Sequence, residues 1–221
     1  LASLTKDVAF GTFGAEHLEP LLSMIDTGEE VLVLTALVEG AGGLDFSTSA
    51  SADLARHLLA LARRPDFPLG ASTRDRHPML AVTLLEALSD AADPEQAARL
   101  LASFFSRLAT PSVYARAMAE DMHVLRRLVG LFGASAFLGE ALVDLPELVE
   151  SVLFTRVPPT ADVTRRDVEA EVREATERDD DDPGEAFVGA LRRAKARVMM
   201  EVGLAELAGE LRTREATVVL S

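Results

Sequence analysis

VLRRLVGLFGASAFLGEALVDLPELVESVLF, residues 124–154, decides the fold, because it reads as three helices separated by two signposted turns. Leu125, Leu128, Val129 and Phe132 recur at i, i+3, i+4 and i+7, the spacing that puts apolar side chains on one helical face and turns Arg126 and Arg127 outward. Gly133 follows, where a glycine can take the left-handed conformation that closes a helix, and Ser135 stands where an N-cap would open the next. Gly133-Ala134-Ser135 is therefore expected as a turn between helices. Phe137, Leu138, Ala141, Leu142 and Leu145 supply a second apolar stripe. Pro146 ends it and fits the first position of a third helix whose buried face is Leu148, Val149, Val152 and Leu153.

Working back toward the N-terminus, Thr110-Pro111 and Asp93-Pro94-Glu95-Gln96 each pair a capping residue with proline at the first helical position. The first opens a helix carrying Val113, Ala117 and Met118; the second opens one carrying Ala97, Leu101, Phe104, Phe105 and Leu108. Pro78 starts a helix with Leu80, Leu84, Leu85 and Leu88 inward, and Ser51 starts another that runs to about Arg63. Pro65, Pro68 and Gly70 mark 64–78 as a linker-like break, dividing an N-terminal helical segment, residues 1–64, from residues 65–221. Within the first segment, Leu18, Leu21, Leu22 and Ile25 suggest a short helix. VLVLTALV, residues 31–38, has no periodicity to separate strand from helix, and helix is expected because no second strand candidate exists to pair with it.

Downstream, residues 162–176 form a charged helix with few large apolar side chains, expected at the periphery. Asp182-Pro183-Gly184-Glu185 is a second capping box and opens a helix to about Gly209, the longest element, with Phe187, Leu191, Ala194, Val198, Val202 and Ala205 inward. Val188, Met199, Met200, Leu204 and Leu207 lie at other angles, so this helix is expected to be partly uncovered. TREATVVLS looks like a further helix start, and no repeat of fixed period is present.

Composition agrees. The chain has 221 residues, 48% of them hydrophobic, with aromatics at 5% and no Trp, a balance that favours helices over a sandwich rich in Val, Thr, Tyr and Trp. The fold class expected is all-α, a bundle of roughly eight to ten helices with a long C-terminal helix. A formal charge of −14 argues against nucleic acid as ligand, since that affinity rests on cations facing phosphate. The absence of cysteine excludes disulfides, thiolate metal sites and a Cys nucleophile. No apolar run reaches the ~18 residues of a membrane span and no leader is visible, so a cytoplasmic location without membrane contact is expected.

Candidates for chemistry are few. His17, His57, His77 and His123 are scattered without the paired spacing of a helix-borne metal site. Ser47, Ser49 and Ser51 lack the strand-turn-helix setting of a nucleophile. Asp179 through Asp182 form an acidic run without the alternating ligands of a calcium loop. Arg192, Arg193, Lys195 and Arg197 give the long helix a basic flank that reads best as solvated and locally paired. EGAGGLDFSTSASADLA, residues 39–55, superficially has a glycine turn followed by Asp53, but Ala55 stands where a second metal-holding carboxylate would be needed. No residue is assigned a catalytic, cofactor-binding or metal-binding role.

Three segments carry a family resemblance: LSDAADPEQAARLLASFF (residues 88–105), LRRLVGLFGASAFLGEALVDLPELVESVL (residues 125–153) and LRRAKARVMMEVGLAELAGEL (residues 191–211). They contain a Leu-Phe-Gly-small-Ser turn, the element Leu145-Pro146-Glu147-Leu148, and an Arg-rich helix ending in Ala-Gly. Together they resemble the bacterial bifunctional glutamine synthetase adenylyltransferase/adenylyl-removing enzyme. The resemblance covers about residues 65–221 and departs at Leu145, where a His is common. It implies a helical connector domain that leads into the second of two nucleotidyltransferase domains, in a protein controlling nitrogen assimilation. ATP and Mg2+ are implied for the whole enzyme, as are glutamine synthetase and the PII signal protein as partners beside the adjoining catalytic domains. The family's Gly-Gly and Ser-Asp-x-Asp motif has no counterpart here, so the segment is expected to be a non-catalytic linker or regulatory domain. The alternative is a free-standing helical interaction module.

Overall fold

Four helices open on proline, as the sequence predicts, because a fixed φ and a missing N–H suit a first turn whose N–H groups lack partners anyway. Side-chain caps do the rest locally: Ser51 accepts from the Leu54 N–H at 2.9 Å, Asp93 from Gln96 at 2.9 Å, Ser135 from Leu138 at 3.3 Å and Asp182 from Glu185 at 3.0 Å. Thr110 makes no capping bond, so the helix from Pro111 starts on its proline alone.

The computed structural model describes residues 15–40, 44, 46, 49–146, 148–149, 159–178, 182–207 and 210–220. These form twelve helices and no strand: α1 (Ala15–Thr27), α2 (Glu30–Val38), α3 (Ala52–Ala62), α4 (Ala71–Arg76), α5 (Pro78–Ser89), α6 (Pro94–Arg107), α7 (Pro111–Glu120), α8 (Met122–Ala134), α9 (Ala136–Asp144), α10 (Ala161–Arg178), α11 (Pro183–Leu207) and α12 (Thr213–Leu220). The chain is all-α, the ambiguous run 31–38 is helix α2, and α11 is the longest element. Stretch 64–78, expected as a linker-like break, instead contains α4 and buries Phe67, Pro68, Leu69 and Gly70. Its prolines turn the chain against the core, and Arg64 stacks on the Phe67 ring 5.0 Å from its centroid.

The centre is α6. Ala97, Ala98, Leu100, Leu101, Phe104 and Phe105 are all buried, because α3, α8 and α9 all pack on this helix. Phe104 meets Phe105, Tyr114 and Phe132 at ring separations of 5.6, 6.0 and 6.2 Å, joining α6, α7 and α8 in one aromatic node. The stripe Leu125, Leu128, Val129, Phe132 on α8 packs there with no exposure.

Several faces differ from the sequence reading. Gly133 lies inside α8, without positive φ, and Ser135 alone separates the helices. What the position requires is closeness: a Cβ on Gly133 would stand 2.9 Å from that of Ala91 in the turn before α6. Gln96 does not reach back to complete a capping box; its Nε2 donates to the Phe132 carbonyl at 2.7 Å, satisfying an orphan acceptor near the end of α8. Arg126 is half-buried and paired with Glu86 on α5 at 3.4 Å. Phe137 and Val113 are exposed, because α9 turns Gly139, Leu142 and Val143 inward and α7 turns Pro111, Ala115 and Met118 inward. Of the helix expected from Pro146, Leu148 and Val149 are buried and their N–H groups bond back to Leu145 and Pro146; Glu147, Val152 and Leu153 lie outside the described residues.

α10 is peripheral as expected, with Thr164 its only buried residue among those described, and α11 returns along it. α11 serves two clusters. Met200 and Leu204 enter the main core beside α8 and α9, with Gly203 so close to Leu138 that a Cβ there would sit 2.5 Å from a leucine methyl. Val198 and Val202 face the other way and join Ala216 of α12 in a small separate cluster. Met200 and Leu204, expected among the uncovered positions, are therefore covered, while Phe187 and Leu191, expected inward, are exposed. The cause is position along the helix: α8 and α9 meet the C-terminal half of α11 and leave its first turns to α10.

Candidate functional site

Among the described residues no three His, Asp or Glu side chains gather where they could hold a metal ion. The sequence candidates lie apart. His57 is half-buried on α3, one turn beyond Asp53, and burial depresses its pKa below the ordinary imidazole value despite the attraction of Asp53 and Glu95. His77 sits at the joint of α4 and α5, and His123 is exposed on the first turn of α8. The side chain of His17 and all of Ser47, Asp179, Asp180 and Asp181 lie outside the described residues. Ser51 is occupied twice, as cap of α3 and as donor to Glu95 at 2.6 Å. Asp53 is exposed and ion-paired with Arg56, and Ala55 is fully buried in the core. Nothing there resembles a two-carboxylate metal site.

The basic flank of α11 divides by depth. Arg192, Arg193 and Lys195 are exposed, but Arg197 is nearly buried between α10 and α11, bonding Glu201 at 3.0 Å and Glu171 at 3.1 Å. Burial alone would lower the guanidinium pKa; hydrogen bonds and attraction from Glu201 and Glu171 outweigh it and hold the pKa above its ordinary value. Arg197 is thus a clamp between helices rather than a solvated charge.

Side chains converge instead on a groove of about 670 Å³ between α10, α11 and α12. Its floor is apolar, with Val168 from α10, Leu191, Val198 and Met199 from α11, and Val218 and Leu220 from α12. Arg165 and Lys195 stand at its edges. A second hollow of about 550 Å³ shares Ala161, Val218 and Val219 with it and adds Arg212 and Arg214. A third, about 480 Å³, lies between α1 and α3 beside Arg56 and Arg63. The first two offer apolar surface rimmed with charge. Of this groove the sequence reading had singled out Lys195, Leu191, Val198 and Met199. Arg165, Val168 and Val218 were missed because they come from other helices, although the apolar surplus of α11 was a signal.

No family model and no solved structure matches the chain. The chain is similar to a curated protein, the bifunctional glutamine synthetase adenylyltransferase/adenylyl-removing enzyme of Thioalkalivibrio sulfidiphilus (strain HL-EbGR7), 29% identical over 143 residues. That similarity is distant and partial, for it takes in 65% of this chain and only 15% of the length of that enzyme.

Proposed function

We propose that this chain is a non-catalytic helical connector of a glutamine synthetase adenylyltransferase/adenylyl-removing enzyme, positioning two nucleotidyltransferase domains and relaying their regulation by glutamine and the PII signal protein. The observation that carries the reading is the similarity itself, 29% identity to a protein of which the matched residues are 15%. The chemistry supports it: Asp53 is paired on a helix start and the position two residues on is a buried alanine, so Asp53 has no second carboxylate at that spacing with which to grip metal ions. On this reading ATP and Mg2+ act in the adjoining domains, and glutamine synthetase meets the assembled enzyme. The exposed apolar surface of α11 and α12 favours a second reading, a free-standing interaction module.

The test is transfer of radiolabelled AMP from ATP to glutamine synthetase by the 221-residue chain alone. The expected result is no incorporation above background, and metal-dependent labelling overturns the connector reading. Sequencing the parent reading frame separates the two readings. A Gly-Gly and Ser-Asp-x-Asp motif within roughly one domain length downstream supports the connector, and its absence supports the module.

A further inference from the structure

We infer that the groove between α10, α11 and α12 is a docking surface for an acidic amphipathic helix of a partner protein. The inference stands on the groove alone and does not depend on the connector reading.

The first ground is apolar exposure. Of the apolar floor, Leu191, Val218 and Leu220 are 46%, 57% and 53% exposed beside Val198 and Val168. Contiguous apolar surface of this kind marks an interaction site, and the half-buried Met199 suits a surface that repacks against a guest.

The second ground is charge. The chain as a whole carries −14, and through α1 to α9 its arginines are mostly neutralised: Arg56, Arg64, Arg74, Arg99, Arg107 and Arg126 all stand in ion pairs. Around the groove the pattern reverses. Arg165, Lys195, Arg212 and Arg214 are exposed and make no ion pair with any described residue. Among the described residues that line the two hollows, Glu169 and Glu215 are the acids that oppose them, and the Glu215 carboxylate already accepts the Arg212 backbone N–H at 2.9 Å. Cations left unpaired on an acidic protein, beside an open apolar floor, complement a guest that is apolar on one face and anionic on the other.

The third ground is shape. The two adjoining hollows continue around α12 through Ala161, Val218 and Val219, giving a trough rather than a closed pocket. A helix laying an i, i+3, i+4, i+7 stripe into it is the ordinary occupant of such a trough. Among the described residues neither hollow is lined by an aromatic side chain on which bases could stack, and the net negative charge repels an anionic membrane.

The probe is a fluorescent peptide of roughly four helical turns with Leu at that spacing and Glu elsewhere, titrated into the 221-residue chain. Its counterpart has Lys in place of every Glu. The acidic peptide is expected to bind about tenfold more tightly, to weaken as salt is raised, and to move the Met199 methyl signal in NMR spectra. In the variant carrying Arg165→Glu and Lys195→Glu, both exposed positions, its affinity falls about tenfold while the helical circular dichroism is retained. Equal binding of the two peptides, no binding at millimolar peptide, or binding that leaves Met199 unmoved overturns the inference. So does stronger association with vesicles of anionic phospholipid than with the acidic peptide. Should the double variant fail to fold, the salt dependence and the Met199 shift of the unaltered chain decide the matter.

Discussion

α1 to α9 and α10 to α12 are both made of ordinary capped helices, yet they are held together by different forces. In the first region leucines and phenylalanines from nearly every helix enter one continuous core, and Arg99–Glu140, Arg107–Asp144 and Arg126–Glu86 pair between helices across its surface. In the second, the separate cluster is Val198, Val202 and Ala216, α11 buries the small Ala190 and Ala194, and Arg197 pairs across to Glu171 on α10 and with Glu201 on its own helix. α11 belongs to both, since Met200 and Leu204 anchor it in the large core while its opposite face carries the small one. Helix formation does not by itself make a stable region; buried apolar volume does, and a region poor in it opens more easily and keeps surface free for partners.

The sharpest way to break this comparison is truncation on each side of it. Phe104→Ala, removing the centre of the aromatic node, should cost about 3–5 kcal/mol in urea unfolding, whereas Val198→Ala should cost about 1 kcal/mol. Equal losses at the two sites would erase the distinction. Arg197→Ala tests what holds the second region: leaving Glu171 and Glu201 without their cation should cost about 1.5–3 kcal/mol. Hydrogen exchange should then quicken along α10 and stay unchanged in α6, and uniform loss of protection would show the regions to be one cooperative unit. Within the first region, Gly133→Ala should cost about 1–2 kcal/mol through the clash with Ala91. Adding Ala91→Gly should recover most of that loss in a melting experiment. Gly133→Asn should be no milder than Gly133→Ala, because left-handed φ is not what the position demands; a tolerated Asn would return Gly133 to a helix-ending role.

The helix boundaries were the legible part. Proline and cap chemistry act within four residues, so Ser51, Asp93, Ser135 and Asp182 could be read without knowing what lay opposite, and α2 could be assigned by the lack of any partner strand. The candidate groove was only half legible. Lys195, Leu191 and Met199 share one helix and showed as a surplus of unlike residues on it, but the groove exists because α10 and α12 bring Arg165 and Val218 beside them.

By itself, then, the sequence determined the all-α class, the caps and helix starts, and the alanine that stands two residues after Asp53. Tertiary structure decided which faces are covered: Phe137 and Val113 outward, Arg197 inward, Gly133 pressed against Ala91 rather than closing a turn, and stretch 64–78 folded into the core. The reason is range. A cap or a proline acts on its own turn, whereas burial is set by whichever distant helix lies across from a residue, and hydrophobic spacing along one helix does not name its neighbour.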